Sequence, residues 1–397
     1  MMPIDTDDPR FARLALALLV EPGHRDLGLL ISDVGPVEAL ARVEAGMVEK
    51  RLFESVQVRR EQSRGDFRGM AQRALDATER LGARIITPDD AEWPAQLADL
   101  HRISRETSNR LDRDTLPPLC IWLRGRPSLL AATQKSVAVV GARASSPYGN
   151  HVALELAYGL ADRGWGVVSG GAYGIDAQAH RGALGPGGIT VAVLASGIDL
   201  TYPQAHASLF ERIEETGLLL SEWPPGAAPH RHRFLIRNRV IAALTRGTVV
   251  VEASARSGAK QTASRARQLG RSLMAVPGPV TSAMSVGTHH IIRELDGRLV
   301  TSAAQVIEEV GRIGDDLAPL PRGPESARDR LDPVLSQVLD GLPRGRTVGV
   351  AEIAATVGVP LRAVMRALPA LQDGGFVVDD GSGWRLSPLA TAPARTG

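Results

Sequence analysis

VAVVGARASSPYG, Val137 to Gly149, is the stretch that decides how this chain folds. Four apolar residues run into a glycine, which is typical of a buried strand that enters an anion-binding loop. A dinucleotide-binding loop would read G-x-G-x-x-G. Here Arg143 stands in place of the second glycine and Ser146 in place of the third. The loop therefore predicts an anion site without the bare backbone that a cofactor's pyrophosphate needs.

Short β-branched runs alternate with alanine-rich helical patterns from about Ala83 to Ile313. The predicted strands are SVAVVG, GVVSG, TVAVLAS, GLLLSE, TVVVEAS, SLMAVPG and GRLVTS. Alternating strands and helices predict a parallel sheet that helices cover on both faces. We expect an α/β fold with a doubly wound, mostly parallel sheet over residues 83–313.

Two further regions flank the predicted sheet. Residues 1–78 show helical spacing, with ALARVEAGMVEKRL and GMAQRALDATERL as the clearest helices. A proline-rich and charged linker is expected at 314–330. Residues 331–390 read as three helices and a hairpin turning at DGSG, the pattern of a winged helix. Its third helix carries Arg362 and Arg366, and the choice between DNA and protein contact stays open.

Composition excludes several classes of protein. The chain has 397 residues and a net charge of +2, so overall charge does not indicate a nucleic-acid binder. Cys120 is the only cysteine, which excludes an intramolecular disulfide and a thiolate-rich metal site, and we expect it in the core. The acidic N-terminus is unlike a signal peptide, and LALALLV is too short to span a bilayer. We expect a cytoplasmic protein without membrane contact.

Glycines and small hydroxyl residues follow nearly every predicted strand. The loops are GARASSPYG, SGGAYGIDAQAH, ASGIDLTYP, SEWPPG, EASARSGAKQTA and VPGPV. In an open parallel sheet, ligands bind beyond the carboxyl ends of the strands. Glycine lets backbone N–H groups approach an anion, and serine or threonine adds a donor. Several such loops at one edge predict an oxyanion-binding surface.

The segment Pro229 to Leu244 concentrates positive charge around one aromatic residue, Phe234. Its basic residues are His230, Arg231, His232, Arg233, Arg237 and Arg239. No acid occurs between Glu222 and Glu252, and Arg237 and Arg239 are expected to begin a helix. Arginines that hold phosphates beside a ring that stacks a base are the pattern for single-stranded nucleic acid. The alternative is a core phenylalanine beneath a solvated basic face.

Asp176 and His180 stand four residues apart in GIDAQAH, on one face of a predicted helix. They suggest general acid–base chemistry, but we favour a structural role in which Asp176 caps the helix and His180 pairs with it. The sequence has no nucleophile elbow, no metal-ligand spacing and no P-loop lysine motif. We therefore expect no catalytic residues and no metal.

These motifs, in this order, closely resemble the DNA-processing protein family, DprA (also called Smf). The resemblance spans about Val137 to Val300 and is carried by GARASSPYG, SGGAYGIDAQAH, SEWPPG, FLIRNRVIAAL, VVEASARSGAKQTA and AVPGP. It implies an extended Rossmann-like domain at 83–313, with a SAM-like helical domain and a winged helix on either side. It also implies binding of single-stranded DNA, delivery of that DNA to the recombinase RecA in natural transformation, and a homodimer formed through the sheet domain. The resemblance implies no nucleotide cofactor and no catalytic turnover.

The resemblance also implies roles for individual residues. Arg143 would contact a phosphate, while Ser146, Gly170, Gly171 and Gly174 would shape the pocket. Further DNA contacts are implied at Arg231, Phe234, Arg237, Asn238, Arg239, Ser257, Gly258 and Thr262. The chain departs from the family at Tyr173 and Leu235, where arginine and proline are usual, and in IIRELDGRLV, where a Gly-Ala pair is usual.

Two rival interpretations remain. The first is a nucleotide-handling hydrolase of the phosphoribohydrolase-like Rossmann class, although its P-G-G-x-G-T motif is absent. The second is a transcription regulator whose winged helix reads duplex DNA while the sheet domain senses a ligand.

Overall fold

The computed structural model describes residues 8–106, 115–312, 316–319 and 327–388. Contacts divide the chain into two compact units, Met1–Ala318 and Pro319–Gly397. About half of the expected linker at 314–330 lies outside the described residues, and its last part, Ala327–Arg330, forms a 3-10 helix. The predicted boundaries of the smaller domains stay predictions.

Five helices, which we call the helical layer, precede the sheet. They are α1 (Pro9–Ala17), α2 (Arg25–Val34), α3 (Pro36–Ala45), α4 (Lys50–Gln62) and α5 (Phe67–Arg80). The expected helix ALARVEAGMVEKRL is wrong as one element, since α3 ends before Gly46 and α4 begins at Lys50. Gly46 adopts a left-handed conformation with φ of +71°, which terminates α3 as glycine commonly does.

The first unit is built on a nine-stranded sheet. Its strands are β1 (Arg84–Ile86), β2 (Ile121–Arg124), β3 (Ser136–Val140), β4 (Gly166–Ser169), β5 (Thr190–Val193), β6 (Leu218–Ser221), β7 (Gly247–Val250), β8 (Ser272–Ala275) and β9 (Arg298–Leu299). The order is β1-β2-β6-β5-β4-β3-β7-β8-β9. Strands β3 to β9 pair in parallel, whereas β2 pairs antiparallel with β1 and β6. The predicted mostly parallel sheet is confirmed, and the antiparallel edge is an addition.

Helices cover both faces of the sheet. They are α6 (Leu100–Glu106), α7 (Leu129–Gln134), α8 (Pro147–Asp162), α9 (Ile175–Leu184), α10 (Ala207–Thr216), α11 (Arg231–Leu244), α12 (Ala259–Gln268), α13 (Val286–Glu294) and α14 (Ala303–Val310). Because alternate residues of a strand face opposite sides, Ala138 and Val140 of β3 pack with α11 and α12. Val137 and Val139 pack on the other side with α8, α9 and α14.

The helical layer and the sheet share one hydrophobic core. Leu14 and Leu40 of the layer belong to the same buried cluster as Trp122 of β2 and Leu219 of β6. The indole Nε1 of Trp122 also donates to the Thr78 hydroxyl of α5 at 3.1 Å. Cys120 is buried in this cluster, where burial raises the pKa of its thiol. The layer is thus fixed against the sheet by its own apolar faces.

The described part of the second unit contains three α-helices and a hairpin. They are α15 (Pro333–Asp340), α16 (Val350–Val357), α17 (Leu361–Asp373), β10 (Val377–Asp379) and β11 (Trp384–Leu386). Strands β10 and β11 pair antiparallel, and Val348 forms a bridge to Trp384. Arg362 and Arg366 are exposed on α17. These elements follow the expected order, and assignment as a winged helix stays a prediction.

Within the described residues, no single helix is long and apolar enough to cross a membrane. Only α16 and α17 taken together reach the necessary length and composition, and they meet at a bend of 110°.

Candidate functional site

A cleft of about 360 Å³ opens where the strand order reverses. Strands β3 and β7 are neighbours there, and their connections leave in opposite directions along the sheet. Such a switch point is where open α/β sheets bind ligands. The lining includes Arg143, Asp176, Phe234, Arg237, Asn238, Ser257, Gly258 and Thr262. We call it the switch-point cleft.

The first loop of the cleft follows β3 and contains Arg143 and Ser146. The buried carboxylate of Glu252, just after β7, holds this loop in place. The Ser146 hydroxyl donates to Glu252 Oε1 at 2.5 Å, and the Ser146 backbone N–H donates to Oε2 at 2.8 Å. Ser146 Oγ also accepts from the backbone N–H of Gly149 and caps α8. Both hydrogen-bonding roles of this hydroxyl are occupied, so Ser146 shapes the loop.

Arg143 extends from the same loop onto an aromatic ring. It is exposed, and its guanidinium carbon lies 4.8 Å from the centroid of the Phe234 ring. It makes no hydrogen bond or ion pair with any residue in the described part of the chain. Phe234 is half-buried and packs against Tyr202 at a centroid distance of 5.6 Å. Arg143 therefore presents its hydrogen-bond donors to solvent while the ring supports it.

Arg237 supports the cleft from below. Only 4 % of it is exposed, and its Nη1 donates to the carbonyl oxygens of Gly170, at 2.7 Å, and Val193. Burial lowers the pKa of Arg237 to about 10, opposed by the nearby Asp176 carboxylate, so the guanidinium stays charged at neutral pH. A Cβ on Gly170 would lie 2.2 Å from Arg237 Nη1. A side chain at position 170 would therefore displace the Arg237 guanidinium from these carbonyl oxygens.

The second loop packs tightly against the first. Gly174 has φ of +75°, and a Cβ there would lie 2.3 Å from the Ala142 carbonyl oxygen and 2.5 Å from that of Arg143. His206 donates through Nδ1 to the Gly171 carbonyl oxygen at 3.0 Å. The two loops are thereby joined by close backbone contact. Tyr173 is half-exposed beside this contact, with its ring edge-on to His206 at 4.9 Å.

Asn238 lines the cleft, and none of the described residues hydrogen-bonds to its side-chain amide. The residue as a whole is 9 % exposed. Its amide oxygen and nitrogen are not among the enclosed polar atoms, so they are open to solvent and can exchange water for the hydrogen-bonding groups of a ligand. Asn238 is therefore available to a ligand in the cleft.

The third loop closes the cleft from the side of β7. Ser257 Oγ accepts from the backbone N–H of Ala259, and Gly258 precedes the first turn of α12. Thr262 is 2 % exposed and contributes to the floor of the cleft. The N-terminus of α12 thus borders the cleft, where its dipole favours negative charge.

Helix α11 begins at Arg231, earlier than the sequence indicates. The expectation that Arg237 and Arg239 begin this helix is wrong, since both lie in its middle. Arg231 is exposed in the first turn, outside the lining of the cleft. Arg239 is 1 % exposed, and its Nη2 donates to Glu222 Oε1 at 2.7 Å. Arg239 is therefore enclosed with this carboxylate outside the lining of the cleft, so its geometry does not support the predicted DNA contact.

Arg233 is also neutralised, by Glu21 in the loop between α1 and α2. Its Nη2 lies 2.7 Å from Glu21 Oε1, and its guanidinium stacks over Trp223 at 5.4 Å. Glu21 also accepts from the Trp223 indole at 2.8 Å. Burial alone would raise the pKa of Glu21, but the hydrogen bonds from Arg233 and Trp223 hold it below its ordinary value. The basic segment therefore carries fewer available charges than its sequence indicates.

Asp176 and His180 share helix α9 but do not pair. The Thr190 hydroxyl donates to the Val167 carbonyl oxygen, so His180 Nδ1 donates to Thr190 Oγ1, at 2.7 Å. Burial lowers the pKa of His180 to about 3, so the ring is neutral. The expected Asp176–His180 pair is wrong. Asp176 instead faces the cleft and accepts from the Ala172 N–H at 3.3 Å, and burial raises its pKa against the opposing charge of Arg237.

Sequence reasoning missed three residues that organise this region: Glu252, Glu21 and Tyr202. Glu252 follows the predicted strand TVVV directly, and an acid at a strand end that faces an anion loop was the available signal. Glu21 and Tyr202 gave no comparable signal, because their partners lie far away in the chain. Across the described ranges, no group of three or more His, Cys, Asp or Glu residues could hold a metal ion.

The sequence and the fold of this chain are similar to those of known proteins. A family model described as DNA recombination-mediator protein A matches residues 84–311. A putative DNA processing protein DprA from Mycobacterium tuberculosis is 44 % identical over 375 residues, which cover 94 % of this chain and 92 % of the relative. The DNA processing protein DprA of Streptococcus pneumoniae is 42 % identical over 192 residues, 48 % of this chain and 67 % of the relative. The X-ray structure of DprA from Streptococcus pneumoniae matches with a TM-score of 0.58 and 30 % identity, covering 78 % of this chain and 100 % of that chain.

Proposed function

Because this chain belongs to the DNA recombination-mediator protein A family, we propose that it binds single-stranded DNA in the switch-point cleft. In this proposal it protects incoming DNA and loads RecA onto it during transformation and recombination, in the cytoplasm and without catalytic turnover. A homodimer formed through the sheet domain and an absence of nucleotide cofactor belong to the same proposal. These points are supported by the family resemblance, and the DNA site is supported by geometry.

The exposed Arg143 guanidinium, stacked on Phe234 in a cleft that Asn238 also lines, is the observation that carries the DNA site. A nucleotide offers a phosphate that suits the guanidinium and a planar base that suits the ring. The side-chain amide of Asn238 can hydrogen-bond to a base or sugar edge. A cation beside an aromatic ring suits a chain of phosphates and bases better than it suits an isolated anion.

The exposure of each candidate residue in the cleft also limits which of them can touch DNA. Arg143 and Gly258 are exposed, Phe234 and Ser257 are half-buried, and all four line the cleft together with Asn238. Arg237, Ser146, Gly170, Gly171, Gly174 and Thr262 form its framework. We propose the first group as direct contacts, with Arg231 as an additional contact at the exposed start of α11.

Fluorescence anisotropy with a labelled mixed-sequence oligonucleotide, single-stranded and duplex, tests this proposal. Wild type is compared with Arg143→Ala, and with Arg163→Ala as a control that removes an exposed arginine from the far end of α8. We expect a preference for the single strand that Arg143→Ala weakens and the control retains. Equal affinity of all three proteins for both DNA forms would count against the cleft.

The rival hydrolase is tested on the same preparations. We expect no release of base or phosphate from nucleoside monophosphates. Turnover that Asp176→Asn abolishes would replace the DNA-binding proposal with an enzyme, because Asp176 is the acid that faces the cleft.

A further inference from the structure

A second cavity, of about 340 Å³, lies between the helical layer and the loop that follows β6. We call it the layer cavity. Apolar side chains form much of its wall, from Met70 and Ala74 of α5 and from Trp223 and Pro225 of the loop. The sequence assigned no chemistry to the helical layer, and the switch-point cleft does not use this cavity.

The first turn of α11 separates the layer cavity from the switch-point cleft. Arg233 lines the layer cavity, and its neighbour Phe234 lines the cleft. Consecutive residues of an α-helix point about 100° apart, so the two spaces flank this single turn. Arg231 is exposed on the same turn. A ligand that extends from the cleft across the first turn of α11 therefore passes the Arg231 guanidinium before it reaches the layer cavity.

The charged residues that line the layer cavity favour an anionic ligand. They are three arginines, Arg59, Arg73 and Arg233, and one carboxylate, Glu21. The Glu21 carboxylate is already held by Arg233 at 2.7 Å. Arg59 is exposed and donates to the neutral Gln62. Arg73 lies 3.5 Å from Asp66 with both side chains more than half exposed, and such surface pairs contribute little free energy.

We propose that a single strand bound in the switch-point cleft continues over the first turn of α11 into the layer cavity, which holds a further nucleotide. Arg59 and Arg73 contact its phosphates, and the wall formed by Met70 and Pro225 packs against its base. An apolar wall beside exposed cations matches the two parts of a nucleotide. This inference rests on the proposed function and extends it to the helical layer.

Oligonucleotides of two lengths separate the inference from the function on which it rests. One, of about 2 nucleotides, can occupy the cleft alone, and one of about 15 nucleotides can reach the layer cavity. The test variant is Arg59→Ala/Arg73→Ala. The control is Arg42→Ala/Lys50→Ala, which removes a half-exposed and an exposed cation of the helical layer, neither of which lines the cavity.

We expect the test variant to bind the short oligonucleotide as wild type does and to lose about five- to twentyfold in affinity for the long one. The slope of log K against log salt should fall by about 1.4 for the long oligonucleotide, since two phosphate contacts are removed. The control should match wild type. If the test variant binds both lengths as wild type does, the inference is overturned while the proposed function stands. If wild type binds neither length, the proposed function itself is overturned.

A crosslink gives an independent readout, because Cys120 is the only cysteine of the chain and is buried. Ala77→Cys places an accessible thiol in the wall of the layer cavity. An oligonucleotide of about 15 nucleotides with a disulfide-activated tether at one end should then form a mixed disulfide with this variant. Wild type should give none, and excess unlabelled single strand should compete. Absence of a crosslink with the tether at either end, under conditions where the oligonucleotide is bound, would overturn the inference.

Discussion

At the scale of residues, Arg143 and Arg237 show how burial separates two similar side chains. Both were expected to contact DNA. Arg143 is exposed and stacks on Phe234, whereas Arg237 is enclosed and donates to the carbonyl oxygens of Gly170 and Val193. One arginine is therefore available to a ligand and the other holds the cleft in shape.

This difference predicts that one alanine substitution lowers the stability of the fold and that the other weakens DNA binding. Arg237→Ala leaves two buried carbonyl groups without a partner and should lower the free energy of unfolding by about 1–3 kcal/mol. Arg143→Ala should leave stability within about 0.5 kcal/mol of wild type and reduce the salt slope of single-strand binding by about 0.7. Urea denaturation and anisotropy distinguish them. A large loss of stability in Arg143→Ala would contradict the assignment.

Phe234 gives a second test at this scale. If the half-buried ring stacks on a base, Phe234→Ala should cost about 1–3 kcal/mol of single-strand binding. Phe234→Tyr keeps the ring and should retain most of the affinity. Circular dichroism of both variants is the control for folding. Equal losses in the alanine and tyrosine variants would argue against stacking.

At the scale of elements, α11 depends on a residue far away in the chain. Arg233 in its first turn forms an ion pair with Glu21, 212 residues earlier. Sequence reasoning found the basic segment and its single aromatic residue, but it placed the helix start too late. Arg233 is neutralised because the packing of the helical layer on the sheet brings Glu21 next to it. No local sequence pattern encodes that packing.

The ion pair predicts a pH-dependent stability. The pKa of Glu21 lies below its ordinary value of 4.5 in the folded chain, so its contribution is present above that value and is lost as the pH falls through the folded pKa. Glu21→Gln should lower the free energy of unfolding by about 1.5–3 kcal/mol at pH 7. The difference from wild type should shrink as the pH is lowered below 4.5. Glu44→Gln, which breaks an ion pair with Arg68 inside the helical layer, is the matched control. A difference between wild type and Glu21→Gln that does not change with pH would contradict this.

At the scale of the whole molecule, alternating sequence patterns were enough to predict the parallel sheet. The strands β3 to β9 and the helices α8, α10, α12 and α14 lie where the sequence indicates. The antiparallel pair β1 and β2 was missed, since strands of three or four residues carry too little periodicity. The core shared by the helical layer and the sheet was missed too, because periodicity shows that a helix has an apolar face without showing what covers it.

The division into two units predicts a truncation that keeps DNA binding. Residues 1–318 contain the whole switch-point cleft and the three core clusters of the first unit. This fragment should unfold cooperatively and bind single strands within about threefold of the full chain. Calorimetry and anisotropy measure both properties. Loss of single-strand binding on truncation would move the DNA site to the second unit.

The two hydrogen bonds from Ser146 to the buried Glu252 carboxylate have a consequence for the rate at which DNA binds. The hydroxyl and backbone N–H of Ser146 are already hydrogen-bonded, and Gly174 of the second loop packs tightly against the first loop. The first loop therefore does not have to rearrange when a ligand binds. Association should then be limited by diffusion and by electrostatic attraction, with single-exponential kinetics across DNA concentrations. Variants of the cleft should differ from one another mainly in how long each strand stays bound.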